Sequence, residues 1–192
     1  MPNWCYTTYI IEGHKEDLEK IHNAIEYLNS LKEPYTENDF GNLWLGCLID
    51  YLSGIQGAYK DFYCRGEIID CHINDDTLTI DTSTAWGEMS DFRKFLKGMF
   101  MDMHIYYLED EGNMLVYNTN DIAKKYFKYD WTVDSDKFDD DFETFKEMSE
   151  RIKEEYGFPI YEKTYEEAIE NFCDNSDDDT YINIRQLKRF SD

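Results

Sequence analysis

Four histidines, five cysteines and 42 carboxylates are the groups of this 192-residue chain that can do chemistry, and their spacing decides how far each can go. His14, His22, His72 and His104 fall on separate predicted elements. Only His72 and His104 can share a site, because both sit on strands and both point away from the apolar side; structural or exposed roles are the expectation for all four. Cys5, Cys47, Cys64, Cys71 and Cys173 are scattered, odd in number and form no C-x-x-C pair, which leaves reduced thiols rather than a disulfide framework or a zinc site. Asp174 to Asp179 resembles the opening of a calcium loop. Such a loop needs Gly at its sixth position and Glu at its twelfth, where this chain has Asp179 and Arg185, so neither a metal nor any other cofactor is expected. Ser83 and Thr84 precede Trp86, yet there is no Gly-x-Ser-x-Gly elbow, glycine-rich phosphate loop or His-Glu-x-x-His helix. Among so many acids, two carboxylates close in sequence say almost nothing about acid–base catalysis. No catalytic residue is nominated.

The carboxylates matter collectively. A formal net charge of -23 and a pI near 4.3 set up a field that repels nucleic-acid phosphates and anionic membranes, which argues against direct binding to either. A basic protein is the partner that fits; the alternative is a surface that is acidic only for solubility. Residues 130 to 192 hold 20 Asp and Glu against 8 Lys and Arg, net -12, about twice the charge density of the rest of the chain. Asp140, Glu143, Glu147, Glu150 and Glu154 recur every three or four residues on a helix predicted from Phe138 to Tyr156, opposite Phe142, Phe145 and Ile152. With Asp174, Asp177, Asp178 and Asp179 they are the candidate partner-binding residues. Trp44 and Trp86 are the candidates for a small-ligand site.

The elements that must position these groups are clearest between Arg65 and Leu108, where the hydrophobic period changes from two to 3.6 and back. Ile69, Cys71 and Ile73 alternate with Ile68, Asp70 and His72, Asn74-Asp75-Asp76 makes a turn, and Leu78, Ile80 and Thr82 alternate again. A helix follows on Met89, Phe92, Phe95, Leu96, Met99 and Phe100, then a strand over 103–108. A first strand over 6–12 and a helix over 15–31, with Leu18, Ile21, Ile25 and Leu28 inward, complete a βαββαβ unit. Trp86 is expected to be mostly buried where strand hands over to helix.

Between these elements a second helix at about 40–53, started by Asp39 or Asn42, is apolar around most of its circumference and should be buried, shielding the other sheet face or capping an edge. Met114 to Tyr117 is read as a hairpin partner of the strand before it. The run from Phe127 to Val133 is read as a strand extending the same sheet. Thr164-x-x-Glu167 fits a capping box opening a further helix, and Tyr181 to Ile184 a last short strand. The start of the chain carries no charged leader followed by an apolar run, and no stretch is long enough to span a bilayer, so a cytoplasmic protein is expected. The third strand carries neither aromatic nor basic residues, unlike the base-stacking sheets of RNA-binding domains.

Several short stretches carry a resemblance together: Met1-Pro2-Asn3-Trp4-Cys5, the Gly13 to Leu18 turn, Asn42-Leu43-Trp44-Leu45-Gly46, Cys64-Arg65-Gly66-Glu67 and Thr84-Ala85-Trp86. They resemble a family carried by phages, plasmids and conjugative elements of bacteria, whose domain is described as ferredoxin-like, of the YubB or Api type. The likeness covers roughly residues 1 to 133, and the chain departs from it at Gly87, where many relatives carry serine or cysteine. It implies an α+β, ferredoxin-like core over 1–133 and a mobile-element origin, and brings no catalytic residue with it. Residues 134–192 are then an acidic helical extension. The expected function is that of a non-catalytic acidic interaction protein, a nucleic-acid mimic acting on a basic host or defence protein. The alternative is an enzyme or small-ligand binder with its site near the inserted helix and Trp86.

Overall fold

The first strand, β1 (Trp4–Glu12), buries Cys5, Tyr9 and Ile11 on one side. Helix α1 (Lys15–Asn29) buries Leu18, Ile21, Ala24, Ile25 and Leu28, and Glu16 and Asp17 lie at its positive end. The computed structural model describes residues 3–112, 116–176 and 179–191. Within them follow α2 (Leu45–Ser53), β2 (Gly66–Asn74), β3 (Thr77–Ala85), α3 (Ser90–Met99), β4 (His104–Glu111) and β5 (Val116–Thr119). The C-terminal part contributes β6 (Trp131–Ser135), β7 (Asp139–Phe142), α4 (Phe145–Tyr156), α5 (Tyr165–Asp174), β8 (Ile182–Gln186) and β9 (Lys188–Arg189). The chain is an α+β protein. None of the described helices is long and apolar enough to cross a membrane.

One mixed sheet has the order β2-β3-β1-β4-β5-β9, antiparallel throughout except for the parallel pairing of β9 with β5. The strands, α1 and α3 lie close to their predicted positions. Tyr9, Ile11, Leu78, Ile80, Ile105 and Tyr107 from the sheet share a single core with Leu18 and Ile21 of α1 and Phe92 and Leu96 of α3. Helix α2 joins that same core through Leu45, Leu48 and Ile49 and touches both α1 and α3. The idea that it shields the opposite face is therefore corrected, because a helix apolar on nearly every side needs neighbours on nearly every side. At the β2 edge, which α2 also touches, the residues before the helix make the bonds: Ile68 donates its N–H to Leu43 O at 2.9 Å, and Trp44 bridges to Glu67.

Neither Asp39 nor Asn42 starts α2, whose N-cap is Trp44 with no side-chain bond. The insertion is held instead by Asp50, wholly buried, which accepts hydrogen bonds from Thr36 Oγ1 at 2.7 Å and from the N–H groups of Gly57 at 2.9 Å and Tyr59 at 3.0 Å. A bulge in β2 changes the predicted inward set. Ile68 faces Thr82 and Asp70 faces Asp81, so the unpaired Ile69 is exposed and Ile68 is buried in its place.

A second sheet, β7-β6-β8, packs with α4 and α5 around Trp131, Val133, Met148, Ile152, Ile169 and Ile182. Two expectations change here. The strand predicted from Phe127 begins at Trp131 and belongs to this second sheet, while β5 and β9 extend the first. The helix predicted from Phe138 begins at Phe145, because Asp139–Phe142 pairs with β6 as a strand. The capping box forms at this helix: Thr144 Oγ1 accepts the Glu147 N–H and Glu147 Oε2 accepts the Thr144 N–H, both at 3.2 Å. Thr164 starts α5 without a side-chain bond, so the box predicted there is absent. In the hairpin predicted from Met114, residues 113 to 115 lie outside the described residues; from Val116 onward β5 pairs antiparallel with β4.

Candidate functional site

The last strands of the chain decide which charges face outward. Arg189, whose side chain is 14% exposed, donates to Asp121 O at 2.6 Å, Phe127 O at 2.8 Å and Asp130 Oδ1 at 2.9 Å. Asp121, wholly buried, accepts the N–H groups of Lys125, Tyr126 and Phe127 at 3.0, 2.7 and 3.0 Å, which winds the chain tightly around it. Burial pushes the Asp121 carboxyl up, but those three N–H groups and the Arg189 charge outweigh it and hold it below the ordinary range. Asp130 ends low in the same way, burial being outweighed by Lys124 and Arg189. Arg185, also largely covered, bonds Asp110 of β4 and lies 5.5 Å from the centre of the Tyr117 ring. Two of the eight cations in residues 130–192 thus sit in the junction between the sheets rather than on the acidic surface.

The candidate carboxylates are mostly exposed but do not form one continuous helical stripe. Asp140 is on the edge strand β7, with Arg151 Nε 3.7 Å from its Oδ2, and Glu143 is in the turn before α4. Glu147, Glu150 and Glu154 share a face of α4; Glu147 is engaged in the capping box and Glu150 lies 3.7 Å from Lys146. Asp174 ends α5 and Asp179 is exposed, whereas Asp177 and Asp178 lie outside the described residues. What results is a broad acidic face built from an edge strand, a turn and a helix.

No protein-family model, no curated protein and no solved structure matches this chain.

Trp86 is 51% exposed, against the expectation of burial. Pairing of β3 with β1 ends at Ala85, the Trp86 N–H bonds Asn3 O at 2.9 Å, and φ of +76° turns the side chain outward. A left-handed backbone costs a bulky residue about 1–2 kcal/mol. Trp86→Gly should relieve that strain while losing a half-buried ring, for a net change in unfolding free energy within about 1 kcal/mol by urea titration. Below the turn, Glu88 Oε1 accepts Arg93 Nε at 2.7 Å and the Tyr9 hydroxyl at 3.1 Å, and the guanidinium lies 4.6 Å from the centre of the Tyr107 ring. Burial raises the Glu88 carboxyl despite Arg93, and it pushes the Tyr9 phenol well above its ordinary value. The Glu88 N–H donates to Glu109 Oε2 at 2.8 Å, and Asn118 donates to Glu109 Oε1 at 2.6 Å. These groups satisfy one another and so hold the turn.

Trp44 is a core residue. It is 8% exposed, its indole N–H bonds Cys64 O at 2.9 Å, and a Cβ added at Gly46 would come within 2.4 Å of its ring. Its indole is therefore not available to a ligand beside Trp86. His72 and His104 are not brought together, since β3 and β1 lie between their strands, about 14 Å at the usual spacing. Among the described residues no three His, Cys, Asp or Glu side chains converge to hold a metal ion. Sequence reasoning missed the Glu88–Arg93 and Asp121–Arg189 centres. The first has a local signal, an acid and a base five residues apart at a helix start. The second joins residues 68 apart and has none.

Proposed function

We propose that this chain is a non-catalytic interaction protein of a phage or other mobile element that presents an acidic C-terminal face to a basic host or defence protein, standing in for a nucleic acid. One observation carries the reading: the side chains of Arg185 and Arg189 are drawn into the junction, only 11% and 14% exposed, while the carboxylates of β7, the 143–144 turn and α4 remain largely at the surface. Opposite charges across such an interface steer the encounter and fix its register. The N-terminal unit we read as ferredoxin-like, on the strand order β4-β1-β3-β2 with α1 and α3 in one core. The short stretches that resemble the mobile-element family support the proposed origin and a cytoplasmic setting.

The test is charge reversal with the cap left intact: Glu143→Lys, Glu150→Lys and Glu154→Lys together, with folding checked by circular dichroism. Partner capture from the host should fall by at least about tenfold, and wild-type capture should weaken steeply between about 0.05 and 0.5 M salt. Duplex DNA should compete for the captured protein. Undiminished capture by the folded variant would reduce the acidity to a solubility device, and a partner that holds DNA and this chain together would end the mimic reading. A second reading, a small-ligand or enzyme site beside α2 and Trp86, is favoured by one feature, an exposed tryptophan on a strained backbone.

A further inference from the structure

A cleft of about 550 Å³ opens between α1 and α2, far in sequence from the acidic C-terminal face. Its lining has two chemistries. Glu16, Glu19 and Asn23 stand on successive turns of one face of α1, while Ala24 and Leu52 supply apolar surface. Tyr51 of α2 lines it as well, stacked on Tyr27 at 5.0 Å with Tyr35 edge-on at 5.5 Å, and Tyr27 and Tyr35 are both more than 40% exposed. Two lysines of the chain lie beside these carboxylates. Lys15 lies 3.7 Å from Glu19, and the Lys20 ammonium, at the cleft wall, sits 5.4 Å from the centre of the Phe100 ring. Glu16 has no ion-pair partner among the described residues.

We infer that this cleft takes an arginine side chain of a basic protein partner. The guanidinium is a planar fork that pairs two-point with a carboxylate and stacks on an aromatic ring; Glu16 and Tyr51 offer both, and Glu19 adds a second carboxylate that it would share with Lys15. The side-chain carbonyl of Asn23 can accept a further N–H. Ala24 and Leu52 suit the methylene stem, which buries along apolar surface while its head stays polar. Charge complementarity is the reason for naming this occupant: the molecule carries -23, and the cleft sets the Tyr51 ring beside two carboxylates against one cation, Lys20, whose ammonium lies over Phe100. Lysine is disfavoured because an ammonium neither stacks nor forks. The inference rests on the proposed reading that the partner is basic, but it concerns a different surface and is tested separately.

The probe is an octapeptide of alternating Arg and Gly, titrated against the ¹⁵N-labelled full chain, with Lys and citrulline versions beside it. The amides of residues 16–27 and 51–52 should shift with the Arg peptide, about tenfold more weakly with Lys and not at all with citrulline. Glu16→Gln with Glu19→Gln, both exposed, should weaken binding about tenfold, and Tyr51→Leu at least threefold, roughly the loss of one cation–π contact. Glu150→Gln with Glu154→Gln on α4 should leave the cleft titration within about twofold, since those charges lie outside the cleft. Shifts elsewhere only, indifference to both cleft variants, or equal weakening by the α4 variant would each overturn the cleft while leaving the C-terminal reading to its own test.

Discussion

Arg93→Leu should lower unfolding free energy by about 3–5 kcal/mol near neutral pH, the range for removing one partner of a buried ion pair. The Glu88 side chain is 7% exposed and that of Arg93 13%, so the carboxylate left behind would have little water to turn to. Tyr9 and the Tyr107 ring would remain in place, and neither can supply a positive charge. The pH dependence separates this cause from lost packing. Glu88 already has its folded pKa raised, so its contribution favours the fold below the unfolded carboxyl value and is lost as pH rises through the folded one. Without Arg93 the folded value rises further. The deficit of the variant against wild type should therefore shrink between about pH 7 and pH 5. Urea unfolding of both proteins at the two pH values checks this, and an equal deficit at both would mean that packing, not the charge, was lost.

Arg189→Ala should cost about 3 kcal/mol, because the carbonyls of Asp121 and Phe127 lose a charged donor in a part-buried setting. Faster amide exchange should be concentrated in residues 121–130, the segment the guanidinium ties to β9. Asp121 and Asp130 both have depressed folded values, so their contribution is present above about pH 4 and is lost as pH falls through those folded values. Removing Arg189 raises both toward the ordinary range, which should move the onset of acid unfolding upward. An unchanged acid midpoint would show that Arg189 is not what sets it.

How much of this was legible in the sequence depended on whether local periodicity had a single meaning. In β3, Leu78 and Ile80 alternate cleanly, and in α1 the spacing of Leu18, Ile21, Ile25 and Leu28 fits only a helix, so both elements were read correctly. Phe138 and Phe142 misled because a spacing of four is one helical turn and also two strand repeats. The capping pattern Thr144-x-x-Glu147 was the sequence signal that separates the two, and it went unused. The bulge at Ile69 and the left-handed Trp86 are backbone departures that no pattern of apolar residues announces. Of the candidate site, exposure of the carboxylates was legible, but their division among strand, turn and helix was not. The arginines that turn inward to the junction became visible only once β8 and β9 had been placed against distant parts of the chain.

Strand β7 has one further consequence. It forms the outer edge of its sheet, and three of its four residues are the consecutive aspartates 139 to 141. A second molecule laying its own β7 alongside would set like charges about 4.8 Å apart at every rung. In the larger sheet, Leu43 and Trp44 cover the start of β2 at one edge, and the two-residue β9 forms the other. Strand addition at β7 therefore meets a charged rail, and at β9 a strand too short to template a copy.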